Sequence, residues 1–395
     1  MHTQRRKEVD SVPAYPELSL IRGGPFYRAQ EAARLIQPQQ WNLGRRITFA
    51  IAVGWAPLLV ITALFNPSAT LSLLRDYRVH SRILIAVPVL VIGQMLMEER
   101  FRMVVAHLLK ADLLREPDLA KLDEMIGGLR RLRDSVIPEL LIVVALAVHT
   151  LSSIKGLVDA TPWLAHGAWP NMHLTPAGWY AVLVSATIFQ FLLGLSLWKW
   201  LLWTIFALRL SRLNLRLIAT HADGHGGLGF LGLTPVAFAP VAFAVTTVIG
   251  ATWRHEILNA GAKLMSFKLP AIALVVIIAG LALGPLVIFV PKLAKLRREG
   301  LLEYGTLGQM HGAEFQEKWI AHRAGHEAEL LAAPEISTLA DYGQCYERIE
   351  TLKPFPADQG ALMMLGAAVV VPLLPTILAV IPLVVILKTL LKALG

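Results

Sequence analysis

Long apolar runs separated by shorter charged stretches dominate the chain. Seven runs approach or exceed the ~20 apolar residues that a helix needs to cross the hydrocarbon core of a bilayer. The pattern therefore predicts an all-α fold, a polytopic bundle of about seven transmembrane helices. The predicted segments are 47–65, 83–97, 136–154, 179–208, 235–252, 271–290 and 361–387.

The second and the seventh segments depart from a regular membrane helix. The second, 83–97, is short and contains Pro88, so it either continues into the next apolar stretch or fails to cross. The seventh contains Pro372, Pro375 and Pro382. Each proline removes a backbone donor and bends a helix. We expect a kinked helix that crosses once; the alternative is a re-entrant hairpin of two half-helices.

Charged stretches divide the chain into four parts. The stretch that follows the sixth segment has apolar residues at helical intervals among charges, which predicts a helical continuation of that segment into the cytoplasm. The parts are a cytoplasmic N-terminal segment (1–46), a bundle of segments one to six (47–290) with cytoplasmic helices at 98–135, a cytoplasmic helical region (291–360), and the proline-broken C-terminal segment (361–395).

The composition supports a membrane location. The 395 residues are 55% hydrophobic and only 16% charged, and the mean hydropathy is +0.56. Soluble domains usually carry about 25% charged residues, so the excess apolar surface must face lipid. The single cysteine, Cys345, excludes a disulfide framework within the chain.

The distribution of the net charge of +9 predicts orientation rather than nucleic-acid binding. With the N-terminus inside and seven crossings, 27 Lys and Arg residues lie on the cytoplasmic side and 9 on the other. Because cytoplasmic loops of membrane proteins are enriched in Lys and Arg, this imbalance places the N-terminus in the cytoplasm and the C-terminus outside.

A glycine-rich stretch between segments four and five is the most unusual part of the sequence. Its histidines and aspartate could ligate a divalent metal, and its glycine amides could hold an anion. The alternative is a tight turn in which glycines adopt positive φ and the aspartate caps the next helix. The candidate metal ligands are His221, Asp223 and His225, and the candidate anion-binding glycines are Gly224, Gly226, Gly227 and Gly229.

A second histidine pair lies in the region after segment six. On a helix, His322 and His326 share one face, and Glu329 lies about one turn further. This spacing could hold a metal ion. It lacks the H-E-x-x-H order of zinc proteases, and a solvated charged helix face is the alternative.

Polar residues inside the predicted segments are the candidates for a solute path, because they are costly in lipid and usually functional. Lys199 could instead extend its ammonium to the cytoplasmic interface. No Asp or Glu falls deep inside a predicted segment, which argues against a proton-coupled carrier. The candidate path residues are Gln190, Ser196 and Lys199 in segment four, and Pro372, Pro375 and Thr376 in segment seven.

Three motifs resemble a family of bacterial multi-pass inner-membrane proteins to which no activity is assigned. They are Leu-Arg-Asp-Tyr-Arg-Val-His-Ser-Arg at 74–82, H-x-D-x-x-G-G-L-G-F at 221–230, and Ser-Thr-Leu-Ala-Asp at 337–341. Related chains have proline where this one has Ala222. The resemblance implies the bacterial cytoplasmic membrane and says nothing about chemistry.

The expected function is a channel or passive permease for ions or small solutes, acting alone or as a homo-oligomer in the lipid bilayer. The sequence contains no G-x-S-x-G elbow, kinase signature or phosphate loop. Enzymatic activity is therefore an alternative that no catalytic motif supports. An enzyme of this kind would be a membrane-embedded metalloenzyme that uses a divalent metal at the His/Asp clusters. A third hypothesis is a signalling or scaffold component that binds a cytoplasmic protein.

Overall fold

The protein is built almost entirely of helices. The structure, a computed structural model, describes Ser19 and residues 22–37, 40–154, 161–167, 171, 173–321 and 334–380. Within these residues the only strands are Ala165–His166 and His173–Leu174, which pair antiparallel. The prediction of an all-α fold is confirmed.

Eleven helical segments make up the frame of the described residues, together with short turns and the small helix Thr70–Arg75. In chain order they are α1 (Pro25–Ala32), α2 (Leu43–Phe65), α3 (Tyr77–Lys110), α4 (Glu116–Asp134), α5 (Ile137–Ile154), α6 (Pro176–Ser211), α7 (Gly229–Asn259), α8 (Leu264–Val287), α9 (Val290–Phe315), α10 (Pro334–Glu350) and α11 (Gln359–Leu378).

Six of these helices are long and apolar enough to cross a membrane: α2, α3, α6, α7, α8 and α11. The third of the seven predicted segments corresponds to α5, which reaches the necessary length only together with α4. These two helices meet at an angle of 41° and count as a seventh span if the bent pair is one span. The chain is thus a membrane-type helical protein with six candidate spans and one bent pair.

The second predicted segment is much longer in the structure. α3 runs for 34 residues, so the apolar run at 83–97 continues directly into the following charged stretch. A π-helical turn at Ser81–Ala86 immediately precedes Pro88, the residue that cannot donate a backbone hydrogen bond. This turn lets the helix pass the proline without a break.

α7 is the central helix, and 61% of its most apolar 18-residue stretch is buried. It packs against α3 and α11 through small residues, as membrane helices do where their backbones come close. A Cβ atom added to Gly93 of α3 would lie 2.8 Å from Cβ of Pro240 in α7. Thr376 of α11 donates a hydrogen bond of 2.8 Å to the carbonyl oxygen of Gly250 in α7.

Stacked aromatic rings fill the space between α3, α6 and α7. The rings of Phe101 and Trp203 are parallel, with centroids 4.5 Å apart. Trp200 packs on Phe238 at 4.9 Å, and its Nε1 donates to the carbonyl oxygen of Leu281 in α8 over 2.8 Å. This part of the bundle is therefore a solid core.

One end of the bundle, which we call the Asp76 end, is held by a buried carboxylate. Asp76 accepts two hydrogen bonds from the Arg78 guanidinium, at 2.9 and 2.7 Å, and one from the Trp163 indole at 3.2 Å. Burial raises the pKa of Asp76, but the hydrogen bonds and charge of Arg78 outweigh it and hold this pKa below its usual value. The bonds tie the loop that contains Trp163 to the start of α3.

The last helices partly follow the expectations from sequence. A 3-10 turn at Val371–Leu373 interrupts the α-helical geometry of α11 at Pro372. Residues 381–395 lie outside the described residues, so the choice between a crossing and a hairpin stays a prediction. Two residues separate the end of α8 from the start of α9. α9 pairs antiparallel with α10, since Gly300 meets Ile349 and Gly308 meets Tyr342.

Substitution of Gly93 tests the packing of α3 on α7. We expect Gly93→Ala to lower the stability by about 1–3 kcal/mol, because the rigid ring of Pro240 leaves no room for a methyl group. The thermal midpoint in detergent, followed by size-exclusion chromatography after heating, measures the effect. Gly280→Ala in α8 is the control, since no atom lies within 4 Å of its Cβ position; equal midpoints for the two variants would contradict the packing.

Candidate functional site

The glycine-rich stretch is a turn wrapped around its own carboxylate. Asp223 accepts hydrogen bonds from the backbone N–H groups of His225 (2.8 Å), Gly227 (3.1 Å) and Gly229 (2.8 Å). The chain can coil this tightly because Gly224, Gly226 and Gly227 have φ values of 65°, 63° and 97°, which favour glycine. The turn leads directly into α7.

The turn also joins distant parts of the chain at the end of the bundle opposite Asp76, which we call the Asp223 end. The backbone N–H of Lys353 donates to the carbonyl oxygen of Gly224 over 3.0 Å. The His225 ring contacts the carbonyl oxygen of Lys353 at 2.9 Å. A Cβ at Gly232 would come within 2.9 Å of the backbone at Pro356. The segment that leads into α11 is therefore docked on this turn.

These contacts account for the residues that were candidates for an anion or metal site. The amides of Gly227 and Gly229 do hold an anion, but it is the carboxylate of Asp223. Nδ1 of His221 lies 2.9 Å from the same carboxylate. In the part of the chain that the structure describes, no group of three His, Cys, Asp or Glu side chains could hold a metal ion. His322 and His326 lie outside that part.

The electrostatics of Asp223 agree with this structural role. Partial burial raises the pKa of its carboxyl group, but the N–H groups of Gly229, His225 and Gly227, together with His221, outweigh burial and hold the pKa below its usual value. Hydrogen bonds to the ionised form are the physical cause. Asp223 therefore stays charged in the folded protein at neutral pH.

The candidate path residues do not meet in one cavity among the described residues. Ser196 donates a hydrogen bond of 2.8 Å to the carbonyl oxygen of Leu192 in its own helix. Thr376 is bound to the Gly250 carbonyl of α7, and Pro372 packs against the same glycine. α7 packs directly against α11 and separates it from most of α6. Pro375 lies just after the 3-10 turn of α11. In α6, the buried Oε1 of Gln190 has no hydrogen-bond donor among the described residues.

Arg46, at the start of α2, is a buried cation, although its place in the sequence puts it with the N-terminal charged segment. Its side chain is only 4% exposed. Nε donates to Oε1 of Gln30 in α1 over 2.8 Å, and Nη2 donates to Oε1 of Gln94 in α3 over 2.7 Å. Both partners are neutral amides, and Arg46 makes no ion pair with any described residue.

Two buried donors of this cluster lack an acceptor among the described residues. They are Nη1 of Arg46 and Nε2 of Gln94, which belong to the two side chains joined by the 2.7 Å hydrogen bond. A buried donor without an acceptor costs about 1–3 kcal/mol, and more when it belongs to a charged group. The two donors therefore define a site that favours an incoming acceptor.

Lys199 and Glu98 lie next to this cluster. Glu98 is one helical turn beyond Gln94 on α3, and its side chain is 1% exposed. Lys199 interacts electrostatically with Arg46, Glu98 and Glu139. Glu98 lies one residue beyond the predicted segment 83–97, but on the same helix, because α3 continues to Lys110.

The N-terminal helix α1 covers the cluster. Two carboxylates hold its first turn, because Asp134 accepts from the N–H of Gly24 (3.0 Å) and Glu139 from the N–H of Phe26 (2.9 Å). Acidic groups stabilise a helix N-terminus by interacting with its free N–H groups. The ring of Phe26 packs edge-on against Phe191 of α6, with centroids 5.0 Å apart.

A cavity of about 300 Å³ separates α1 from the membrane-type helices. Its walls are apolar, and Arg46 and Gln30 are the polar residues that line it. Each of three helices contributes to the apolar wall: Phe26 and Ala29 come from α1, Ala50 and Val53 from α2, and Ile188 and Phe191 from α6. Arg46 thus stands at one end of an apolar pocket.

Sequence reasoning missed this site for an identifiable reason. Arg46 was counted as one of the basic residues that set orientation, and Glu98 fell just outside its predicted segment. The available signal was an arginine directly beside an apolar run, with a glutamine at position 94 inside the next run.

No protein-family model, curated protein or solved structure matches the chain.

Removal of the Asp223 carboxylate tests the role of the turn. We expect Asp223→Ala to lower the free energy of unfolding by on the order of 2 kcal/mol, because three backbone donors lose their acceptor. Thermal unfolding in detergent measures the loss. Asp123→Ala, at an exposed position of α4, is the control and should change little.

The Asp223→Ala variant also tests how the stability of the protein depends on pH. The folded pKa of Asp223 lies below the value of 3.8 for the unfolded chain. The stability from its carboxylate is thus complete above pH 3.8 and is lost as the pH falls through the lower folded value. The wild type should lose stability in that window more steeply than Asp223→Ala; identical profiles would show that the carboxylate contributes nothing.

Proposed function

We propose that this protein is an integral protein of the bacterial cytoplasmic membrane and a passive permease for small organic anions, with Arg46 at its binding site. The observation that carries the proposal is the burial of the Arg46 guanidinium without a carboxylate partner among the described residues, at the end of an apolar cavity. Arginine keeps its charge in proteins, so this cation cannot escape the cost of burial by losing a proton.

The energetic cost of this arrangement supports a functional role. Placing an ionised side chain in a low-dielectric environment costs several kcal/mol unless a counter-charge is present. Ionisable residues in membrane helices are rare and usually serve a solute path. An anionic solute would supply both the missing charge and the missing hydrogen-bond acceptors.

A permease agrees better with the packing than an open channel. The stacked rings of Phe101, Trp200, Trp203 and Phe238 fill the bundle between α3, α6 and α7. A permanently hydrated pore requires polar walls at that place. Passage of a solute would require helices to move, which is how permeases expose a binding site to one side at a time.

The proposed orientation follows from the Lys and Arg count, with the N-terminus and the Asp223 end in the cytoplasm. In this orientation α4, α9 and α10 extend into the cytoplasm. Arg46, Glu98, Glu139 and Lys199 then mark the level of the cytoplasmic membrane interface. The Asp76 end faces the outside.

Transport in liposomes tests the proposed permease. We expect purified wild-type protein to speed the uptake of a short alkanesulfonate, an anion that cannot cross lipid as a neutral acid. Arg46→Gln should reduce the rate about tenfold or more, since the bound anion loses a charge-assisted hydrogen bond.

Arg45→Gln is the matched control for this transport assay, because Arg45 is the exposed neighbour of Arg46 in α2. It should transport at nearly the wild-type rate. Uptake by wild-type liposomes no faster than by liposomes without protein would refute the permease. Equal rates for Arg46→Gln and Arg45→Gln would remove Arg46 from the site.

The single native cysteine tests the orientation. Cys345 lies on α10 and is half-buried. We expect a membrane-impermeant maleimide to label it in inverted membrane vesicles and not in intact spheroplasts. In a Cys345→Ser background, a cysteine at the exposed position 166 should show the opposite pattern; labelling of both cysteines from the same side would contradict the proposed topology.

A further inference from the structure

We infer that the Arg46 pocket binds a single-chain amphiphilic monocarboxylate, such as a medium- or long-chain fatty acid, with its head at Arg46 and its tail between α1, α2 and α6. The inference rests on the proposed function in that it names the class of anion for the same site. It follows from three features of the pocket: its donors, its walls and its position.

The cation at the Arg46 end of the pocket matches a carboxylate. Arg46 Nη1 and Gln94 Nε2 are both buried without an acceptor among the described residues. A carboxylate has two acceptor oxygens and a single negative charge. It would neutralise the Arg46 guanidinium, the cation that lines the pocket, whereas Gln94 holds Arg46 from outside the lining. A phosphate monoester carries nearly twice that charge, and the neighbouring cation, Lys199, already interacts with the Glu98 and Glu139 carboxylates.

The walls match an alkyl chain. From Arg46 the pocket follows α2 past Ala50 to Val53, seven residues further, which is about 10 Å along a helix. Val91, Ile188 and Phe191 form the facing wall. A chain lying there would be removed from water along its length, which contributes about 0.8 kcal/mol for each buried CH₂ group. An inorganic anion would gain nothing from these walls.

The position of the pocket matches an amphiphile that comes from the lipid. The Arg46 end lies where α2 begins, and Val53 lies deeper in the same membrane-length helix. The head would therefore stay near the interface while the tail points into the bilayer. α1 covers the pocket from the other side through Phe26 and Ala29, and it is attached by the contacts of its first turn, the Phe26 ring and the hydrogen bond from Arg46 to Gln30. The cavity of about 300 Å³ suits one chain, so a two-chain phospholipid would leave its second chain outside.

Direct binding tests the inference without any transport step. Purified protein in phosphatidylcholine nanodiscs is titrated with radiolabelled dodecanoate, and bound label is counted. We expect saturable binding, displaced by unlabelled dodecanoate and at least about tenfold less well by dodecanol, which has the tail without the charge. Arg46→Gln should weaken binding by about tenfold or more, and Arg45→Gln should not.

A pair of α1 variants separates the pocket from general effects on folding. Ala29 lines the cavity, whereas Ala32 is exposed on the same helix and does not. Ala29→Trp should block dodecanoate binding, and Ala32→Trp should bind like the wild type. Both variants must elute as the wild type does in size-exclusion chromatography, so that a loss of binding reports the filled pocket.

Several results would overturn the inference. They are the absence of saturable binding to the wild type, equal displacement by dodecanol, equal affinity of Ala29→Trp and Ala32→Trp, and displacement of dodecanoate by phosphatidylglycerol placed in the nanodiscs, which would identify a two-chain lipid as the occupant. Alkanesulfonate flux that depends on Arg46, without dodecanoate binding, would support the permease and refute the fatty acid as its ligand. Dodecanoate binding without alkanesulfonate flux would support the fatty-acid site and refute the permease.

Discussion

Every polar group that this chain removes from water must find a partner inside the protein, because neither lipid nor an apolar core can supply one. Asp223 and Arg46 show the two outcomes of that constraint. The Asp223 carboxylate accepts three hydrogen bonds from its own turn, so its charge is already stabilised within the protein. The Arg46 guanidinium is held by two neutral amides and keeps a buried donor without an acceptor among the described residues. The first arrangement builds structure, and the second is the basis of the proposed anion site.

The saturated turn has a mechanical consequence for the rest of the bundle. Because the segment after Lys353 is docked on it, the turn links the start of α7 to the approach of α11, and these two helices then pack side by side. The opposite end is fixed in the same manner by Asp76, whose carboxylate joins the start of α3 to the loop of Trp163. Carboxylates that accept several hydrogen bonds thus hold both ends, Asp76 buried and Asp223 half-buried. α1 is held by Asp134, Glu139 and Arg46, and the Arg46 pocket lies beneath it.

The hydrophobic pattern predicted the helices well and the site poorly. Six of the seven predicted segments appear as membrane-length helices, because a run of about 20 apolar residues is a local property that any window of sequence displays. The ends of the helices were predicted less accurately. The predicted second segment stopped at Met97 because charges follow it, whereas in the structure those charges, Glu98 among them, continue along the same helix under the cover of neighbouring helices. For the glycine-rich stretch, the alternative interpretation was a tight turn with glycines at positive φ and Asp223 capping the next helix. The geometry agrees with it, since three glycines have positive φ and Asp223 accepts from the N–H of Gly229, where α7 begins.

The sequence by itself determined the all-α architecture, the membrane-type helices and the tight turn of the glycine-rich stretch, since apolar runs and glycines act through neighbouring residues. Only the tertiary structure decided which polar side chains are satisfied. Gln30, Arg46 and Gln94 belong to three different helices, and no spacing in the sequence shows that their side chains meet. Hydrogen-bond satisfaction is a property of groups brought together in space, so a cation with an unused donor and a carboxylate surrounded by donors look alike until the helices are packed.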